Sequence, residues 1–271
     1  MFKQIDKDSK IFESEEYLKD KYKFYIIQKN LQSPTLELYS DEKNYIICRG
    51  KIDLPIWIWT KDDFDKNVAE EIENTISTML VEESKTKLTC KKELYDLLVK
   101  RKYNKLDLND YFEMGFLICR KTKEPKKCDG VLSIPTLNDL DIIADYFYND
   151  HLEMNGVDSI TKDEARKKAI EYINSNKFYV LRNHNNKIVC MAGYNTVEEQ
   201  AKINAVYTPK EERKKGYAAN LIYLMSNDIL SKGLIPLLYT DYNYVASNKA
   251  YKNAGYEDTG ILINFSCSKS Q

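Results

Sequence analysis

The stretch "VYTPKEERKKGYAANL", residues 206–221, joins features that seldom occur together in one short segment. A strand-like apolar start leads through Pro209 into a run of charges and then Gly216, and the residues after the glycine suit a helix. The first turn of a helix leaves its N–H groups without partners, and the helix dipole favours an anion there. Cations at such a place predict a bound phosphate. A solvated basic turn is the alternative.

The spacing of glycine and basic residues in this stretch indicates which type of phosphate site it forms. Neither the P-loop pattern nor the dinucleotide-binding pattern of glycines occurs in it. The order Arg213-x-x-Gly216-x-Ala218 after a strand resembles the acetyl-CoA pyrophosphate loop of the GNAT N-acetyltransferase superfamily. The segment "LLYTDYNYVASNKAYKNAGYE", residues 237–257, is similar to that superfamily's fifth strand, the following helix and its Tyr-x-x-x-Gly-Tyr ending. The resemblance covers about residues 130–271.

The resemblance implies that the fourth and fifth strands splay apart and that acetyl-CoA, the acyl donor, binds in the gap. The implied cofactor-binding residues are Val206, Thr208, Arg213, Lys214, Lys215, Gly216, Tyr217, Ala218, Ser247 and Asn248. Backbone groups of the first two would bind the pantetheine amides, N–H groups of residues 214–218 the pyrophosphate, and the last two would border the pantetheine arm.

Tyr251 is implied as the catalytic residue, with its hydroxyl directed at the thioester sulfur. The alternative for Tyr251 is a core aromatic residue paired with Tyr256. The sequence departs from the family pattern seven residues before this tyrosine, where many relatives carry Asn and this chain has Tyr244. Asn243 lies one position early and is not assigned as a ligand.

The implied reaction is direct attack of an amine on the acetyl thioester. A lysine-like amine has a pKa of ~10.4, so a base must accept its proton at neutral pH. No general base is assigned from the sequence. The residues considered are the carboxylates Glu198, Glu199 and Asp241, the histidines His151 and His184, which show no triad partner, and Cys190, which reads as core rather than as a nucleophile.

The order of apolar and polar segments divides the chain into two halves. Strands are predicted at 22–29, 36–39, 44–49 and 55–59. A helix follows at 64–80 behind a capping box at Thr60 and Asp63, then a helix at 91–101 and a strand at 111–119. The charged segment 120–130 is the predicted linker. It divides a domain at 1–125 from an acetyl-CoA-binding N-acetyltransferase domain at 126–271.

The second half alternates its elements more regularly. Strands are predicted at 130–134, 177–183, 187–195, 201–208, 235–241 and 259–266, and helices at 137–153, from the capping box Thr161-x-x-Glu164, at 215–231 and at 246–254. The fold class is therefore α/β (α+β), a sheet covered by helices. The resemblance implies that this sheet is a GNAT-like mixed central sheet. The first half is interpreted as a degenerate copy of that fold, which walls the acceptor site or mediates homodimerisation.

Composition restricts the functional classes further. Of 271 residues, 43% are hydrophobic and 31% charged, which suits a packed core, and the net charge of −1 gives no field that favours nucleic acid. No charged-then-apolar leader or long apolar run is present, so a cytoplasmic protein without membrane association is expected. The six cysteines lack metal or disulfide spacing.

Two functions remain open at this point. The first is an acetyl-CoA-dependent N-acetyltransferase acting on a small-molecule or peptide amine. The second is a non-catalytic acyl-CoA-binding module that senses or regulates.

Overall fold

The computed structural model describes residues 3–80, 85–100, 105–155 and 160–270. The chain folds into two compact units, and neither is a continuous segment. The first comprises Met1–Phe116, Tyr239–Asn243 and Thr259–Gln271, and the second comprises Leu117–Leu238 and Tyr244–Asp258. In the part of the chain that the structure describes, no helix is both long and apolar enough to cross a membrane.

The first unit is a mixed sheet with a pair of helices on each face. Its strands are β1 (Lys3–Gln4), β2 (Glu37–Ser40), β3 (Tyr45–Arg49), β4 (Ile56–Thr60), β5 (Thr86–Cys90), most of β6 (Leu106–Ile118) and most of β12 (Glu257–Lys269), in the order β1-β2-β3-β4-β5-β12-β6. Helices α1 (Glu15–Asp20) and α2 (Tyr25–Asn30) cover one face, and α3 (Lys66–Met79) and α4 (Lys92–Lys100) the other. β4 and β5 are parallel.

The second unit has the same plan. Its strands are β7 (Val131–Ser133), β8 (Phe178–Arg182), β9 (Ile188–Val197), β10 (Gln200–Tyr207) and most of β11 (Ile235–Asp241), in the order β7-β8-β9-β10-β11. Helices α5 (Leu140–Asn155) and α6 (Lys162–Asn174) cover one face, and α7 (Tyr217–Ser231) and α8 (Val245–Asn253) the other. β10 and β11 are parallel, and the other neighbouring strands are antiparallel.

The predicted elements of the second half are confirmed. The strand at 235–241 coincides with β11, and the capping box at Thr161 begins α6, with the Thr161 hydroxyl accepting the Glu164 N–H and the Glu164 carboxylate accepting the Thr161 N–H. The mixed α/β fold with helices flanking a sheet is therefore confirmed as well.

Two expectations for the first half are wrong, and one strand is missing from the prediction. The segment 22–29 forms no strand, and residues 25–30 are helix α2, because a short apolar run fits either a buried strand or a buried helix face. Thr60 lies inside β4, and α3 is capped instead by Asp65, whose carboxylate accepts the N–H groups of Asn67 and Val68. The buried strand β5 was not predicted, because it opens with the polar residues Thr86 and Lys87.

The segment 120–130, predicted as a linker, is bound along the second unit. The Lys123 N–H donates to the Ala254 carbonyl at 3.0 Å, and the Asn220 side-chain amide donates to the Lys126 carbonyl at 2.9 Å. Its polar composition therefore reflects an exposed but anchored loop. The domain boundary at residue 125 remains a prediction.

Candidate active site

Strands β10 and β11 pair over only part of their length. Their parallel register ends at the pair Lys202 and Leu237, although β10 continues to Tyr207. On its other side β10 shifts register against β9 between Asn204 and Tyr207, and Ala205 has a φ of 52°. This is a β-bulge, which takes residues out of the regular ladder. Backbone groups of the bulge, Val206 among them, therefore lie where a ligand can pair with them.

The segment after β10 turns the chain into the N-terminus of α7. Two residues adopt left-handed backbone conformations, Lys214 with φ 64° and Gly216 with φ 85°, and Gly216 is the N-cap of the helix. A Cβ added at Gly216 would have no atom nearer than 3.7 Å, so glycine is required there for its backbone angle. The first N–H groups of the 15-residue helix α7, which have no partners within the helix, thus lie beside the bulged strand.

The cations of this loop have partners within the chain. Arg213 donates from Nη2 to the Glu153 carboxylate at 2.7 Å and from Nε to the Thr208 carbonyl at 2.9 Å. Lys215 pairs with Glu212 at 2.7 Å, while Lys214 is exposed. The positive charge of Arg213 and Lys215 is therefore balanced within the chain and does not by itself require an external anion. Their role in binding a cofactor stays a prediction.

Tyr251 lies in α8 and is buried, with 8% of its surface exposed. Ser247, one turn earlier on the same helix, hydrogen-bonds the Tyr251 hydroxyl, and burial raises the pKa of Tyr251 above its usual value. The hydroxyl therefore stays protonated across neutral pH. Its ring centroid is 6.2 Å from that of Tyr256, so the packing role considered for Tyr251 is also present. Asn248 follows Ser247 and is likewise half-buried.

Cys190 lies in the same buried core cluster as Tyr251. Its sulfur accepts a hydrogen bond from the Thr208 hydroxyl, just after β10, at 3.1 Å. Burial raises the pKa of Cys190 to about 12, so the thiol is neutral. The expectation that Cys190 is a core residue and no nucleophile agrees with its complete burial. All six cysteines are free thiols.

The three carboxylates considered as the general base are not placed to act at the bulged end of β10. Glu198 and Glu199 form the turn between β9 and β10, six or more residues before Ala205 in the bulge of β10. At 3.3 Å per residue that is a separation of about 20 Å. Asp241 is exposed, and its carboxylate accepts the Asn243 N–H at 2.8 Å, the backbone role considered for it.

Both histidines have partners that sequence spacing did not reveal. His151 lies 2.8 Å from the Lys168 ammonium. His184 lies 2.6 Å from Asp129, whose second carboxylate oxygen accepts the Tyr217 hydroxyl at 2.7 Å. These two hydrogen bonds lower the pKa of Asp129 to about 2. Tyr217 therefore anchors the loop through its hydroxyl, in addition to any backbone role in binding an anion.

Helix α5 supplies residues that the sequence reading missed. The Tyr146 ring lies 5.4 Å from the Tyr207 ring, and the Tyr207 hydroxyl donates to Glu153 at 3.2 Å. Asp150 lies between them on the same helix face. The spacing Tyr146-x-x-x-Asp150-x-x-Glu153 is a signal of a shared face, but the sequence does not indicate that this face is directed at β10.

Comparisons with known proteins agree with this geometry. Residues 144–256 match the model of the acetyltransferase (GNAT) family. No curated protein sequence matches the chain. An acetyltransferase from the GNAT family of Colwellia psychrerythraea is similar in structure, with a TM-score of 0.62 and 12% identity over 99% of this chain and 100% of its own. A GCN5-related N-acetyltransferase from Kribbella flavida has a TM-score of 0.58 and 12% identity over 91% of this chain and 95% of its own.

The structural matches establish the fold, and the family match covers the segment from α5 to the end of α8, which contains the bulged strand, the loop and Tyr251. Acyl transfer is the general chemistry of that family. Residues 144–256 of this chain therefore form a domain of the GNAT acetyltransferase family.

Proposed function

We propose that the chain is an N-acetyltransferase that moves an acetyl group from acetyl-CoA to a primary amine. The observation that carries this proposal is that β10 continues to Tyr207 after its pairing with β11 ends at Lys202, and leads into the N-terminus of α7; all of these residues lie in the second unit. An extended amide-containing ligand fits a splayed strand, and a pyrophosphate fits a helix N-terminus.

The residues present suit acetyl-CoA. The backbone of Val206 and Thr208 offers hydrogen-bonding groups at the end of β10. The αL conformation of Gly216 directs the backbone of residues 214–218 around a concave turn, an arrangement that binds anions. Ser247 and Asn248 would border the pantetheine arm. The Arg213 side chain, held by Glu153 and the Thr208 carbonyl, would shape the loop rather than contact phosphate.

Two groups of the chain would act on the reacting thioester. A backbone N–H of the β10 bulge would stabilise negative charge that develops on the carbonyl oxygen, an effect typically worth ~3 kcal/mol. The Tyr251 hydroxyl, protonated because of its raised pKa, would donate to the departing sulfur. A thiol has a pKa of ~8.5, so this donation matters less as the pH rises towards that value.

The first unit is proposed to be a degenerate copy of the same fold. It repeats the order of strands and helix pairs of the second unit, and β4 and β5 are parallel as β10 and β11 are. We infer that it walls the acceptor site or mediates homodimerisation. Analytical ultracentrifugation of the full chain separates these roles, because a monomer excludes the second one.

The test of the proposed function has two stages. Calorimetry with acetyl-CoA measures binding, with desulfo-CoA as a control for the thiol. Release of free thiol from acetyl-CoA is then followed with spermidine, kanamycin, lysine and a lysine-containing peptide. We expect binding in the micromolar range and acceptor-dependent thiol release with at least one amine. A chain that fails to bind acetyl-CoA contradicts the proposal.

One observation favours the second candidate, a non-catalytic acyl-CoA-binding module. Tyr251 is buried in the core and packs against Tyr256, as a purely structural residue would. In that case acetyl-CoA binds, but no amine of the panel releases thiol above the rate without acceptor.

A further inference from the structure

One face of α5 is directed at the bulged end of β10. Tyr146 and Glu153 both contact Tyr207, one through its ring and one through a hydrogen bond. Asp150 is four residues after the first and three before the second, so it lies between them on this face. Its side chain is half-buried. The carboxylate is therefore directed at the part of β10 that has separated from β11.

The charged side chains nearest to Asp150 already have other partners. Glu153 binds Arg213 and the Tyr207 hydroxyl, and the Lys168 ammonium lies against the His151 ring. Within the described ranges of the chain, no hydrogen bond or ion pair engages the Asp150 carboxylate. A half-buried carboxylate without such a partner is costly to keep in a fold, so a ligand group is the natural partner for it.

The electrostatic surroundings of Asp150 suit a proton acceptor. Burial, together with the charge of Glu153, raises the pKa of Asp150 to about 6, while Lys168 and Arg213 act in the opposite direction. A base is most effective when its pKa lies near the working pH. The charge of Asp150 also acts on Tyr251, which places the two groups in one electrostatic environment.

We propose that Asp150 is the general base that deprotonates the acceptor amine, an inference that rests on the proposed N-acetyltransferase function. An ammonium acceptor has three protons on nitrogen. One passes to the Asp150 carboxylate, which frees the lone pair that forms the C–N bond as the C–S bond breaks. A second replaces the proton that the Tyr251 hydroxyl donates to the departing sulfur. The third stays on the amide nitrogen, so protons and charges balance.

A rate that rises with pH through about 6 follows from this role, because Asp150 acts only when ionised. The titratable and charged groups around it are Tyr146, His151 and Glu153 on α5, Lys168 and Tyr172 on α6, Tyr207 on β10, Arg213 in the loop and Tyr251 on α8. The tyrosines have raised pKa values and stay neutral. His151, whose pKa burial lowers, is the one group whose titration overlaps that of Asp150.

The experiment compares the full-length parent with four variants in the thiol-release assay, using the fastest amine among spermidine, kanamycin, lysine and the lysine peptide. Asp150→Asn removes the base, and Asp150→Glu retains a displaced carboxylate. His151→Gln removes the overlapping titration, and Asp145→Asn changes an exposed carboxylate on the same helix. Calorimetry with acetyl-CoA and circular dichroism show whether each variant is folded and binds the donor.

We expect Asp150→Asn to bind acetyl-CoA as the parent does and to lose at least about 100-fold in rate at pH 7. The difference should shrink as the pH approaches ~10, where a lysine-like amine is already neutral. Asp150→Glu should retain part of the parent's rate and the rise in rate with pH near 6. His151→Gln and Asp145→Asn should keep the full rate and the same rise.

Two results would overturn the inference. A folded Asp150→Asn variant as fast as the parent at pH 7 excludes the base role, and a loss that stays constant from pH 6 to pH 10 indicates a structural role. A parent that binds acetyl-CoA and acetylates no amine contradicts the proposed function instead, and the base role with it.

Discussion

The Tyr251 hydroxyl has a catalytic role if the protein is an enzyme and none if it is a binding module. Replacement by phenylalanine keeps the ring packed against Tyr256 and removes only the oxygen. We expect Tyr251→Phe to keep the acetyl-CoA affinity and to lose about 100-fold in turnover, the low end for positioned proton transfer. The loss should narrow above a pH of ~8.5, where the thiolate leaves without a proton.

Thiol-release rates of Tyr251→Phe across pH check this expectation. Tyr256→Phe is the matched control, because it removes a buried tyrosine hydroxyl, bonded to Ser226, that the proposed mechanism does not use. Equal rates for the parent and Tyr251→Phe at every pH would show that the Tyr251 hydroxyl has no catalytic role.

Gly216 is required for a backbone angle, and the space around it is open. Gly216→Trp should weaken acetyl-CoA binding at least 10-fold, because tryptophan disfavours φ 85° and its ring would fill the space beside the first N–H groups of α7. Gly216→Asn is the matched control, since Asn tolerates the left-handed conformation, and it should lose less. Calorimetry measures both.

An unchanged dissociation constant for a folded Gly216→Trp variant would exclude this loop as the phosphate site. Arg213→Ala should lose less affinity than Gly216→Trp, since its guanidinium is committed to Glu153 and to the Thr208 carbonyl.

At the scale of elements, the bulge in β10 interrupts the pairing with β9, beyond the point where the pairing with β11 ends. Ala205 has a φ of 52°, which costs a non-glycine residue about 1 kcal/mol, and a β-branched residue more. The Tyr172 hydroxyl on α6 donates to the Asn204 side chain at 2.8 Å and fixes the residue before it. The bulge is thus held by packing from outside the strand.

Ala205→Val should therefore destabilise the fold by about 1–2 kcal/mol and weaken acetyl-CoA binding, because the strand must straighten or bear the strain. Ala205→Gly, the control, should keep stability within about 0.5 kcal/mol of the parent, since relief of strain offsets the entropy of glycine. Urea unfolding and calorimetry check both variants. A valine variant as stable as the parent would show that the bulge is unstrained.

At the scale of the whole molecule, the two compact units do not follow the chain order. β12, at the end of the sequence, pairs with β5 in the first unit. Leu117 and Cys119, which precede the predicted boundary at residue 125, lie in the core of the second unit. Each half of the chain therefore contains residues that complete the core or the sheet of the other unit.

A fragment of residues 126–271 should consequently fold poorly by itself. It would lack Leu117 and Cys119, and its last strand would expose an unpaired apolar edge, which promotes aggregation. A fragment that starts at residue 117 and ends at 258 is the matched comparison and should be the more soluble of the two. Size-exclusion chromatography and urea unfolding of both fragments test this. Cooperative unfolding of 126–271 with the stability of the full chain would contradict it.

The local features of this protein follow from its amino-acid sequence. The amphipathic helices, the capping box at Thr161, the glycine before α7 and the strand at 235–241 depend on residues close together in the chain, and so they could be predicted. The short apolar run at 22–29 could not, because its strand and helix patterns coincide over so few residues and packing decides between them.

Which distant residues meet depends on how the elements pack against one another. The partners of Arg213 and His184 are Glu153 and Asp129, 60 and 55 residues away. The approach of Asp150 to β10 and the pairing of β12 with β5 are likewise absent from any local pattern. The physical reason is that a side chain's partner across the core is fixed by how helices and strands pack, and sequence spacing describes only neighbours within one element.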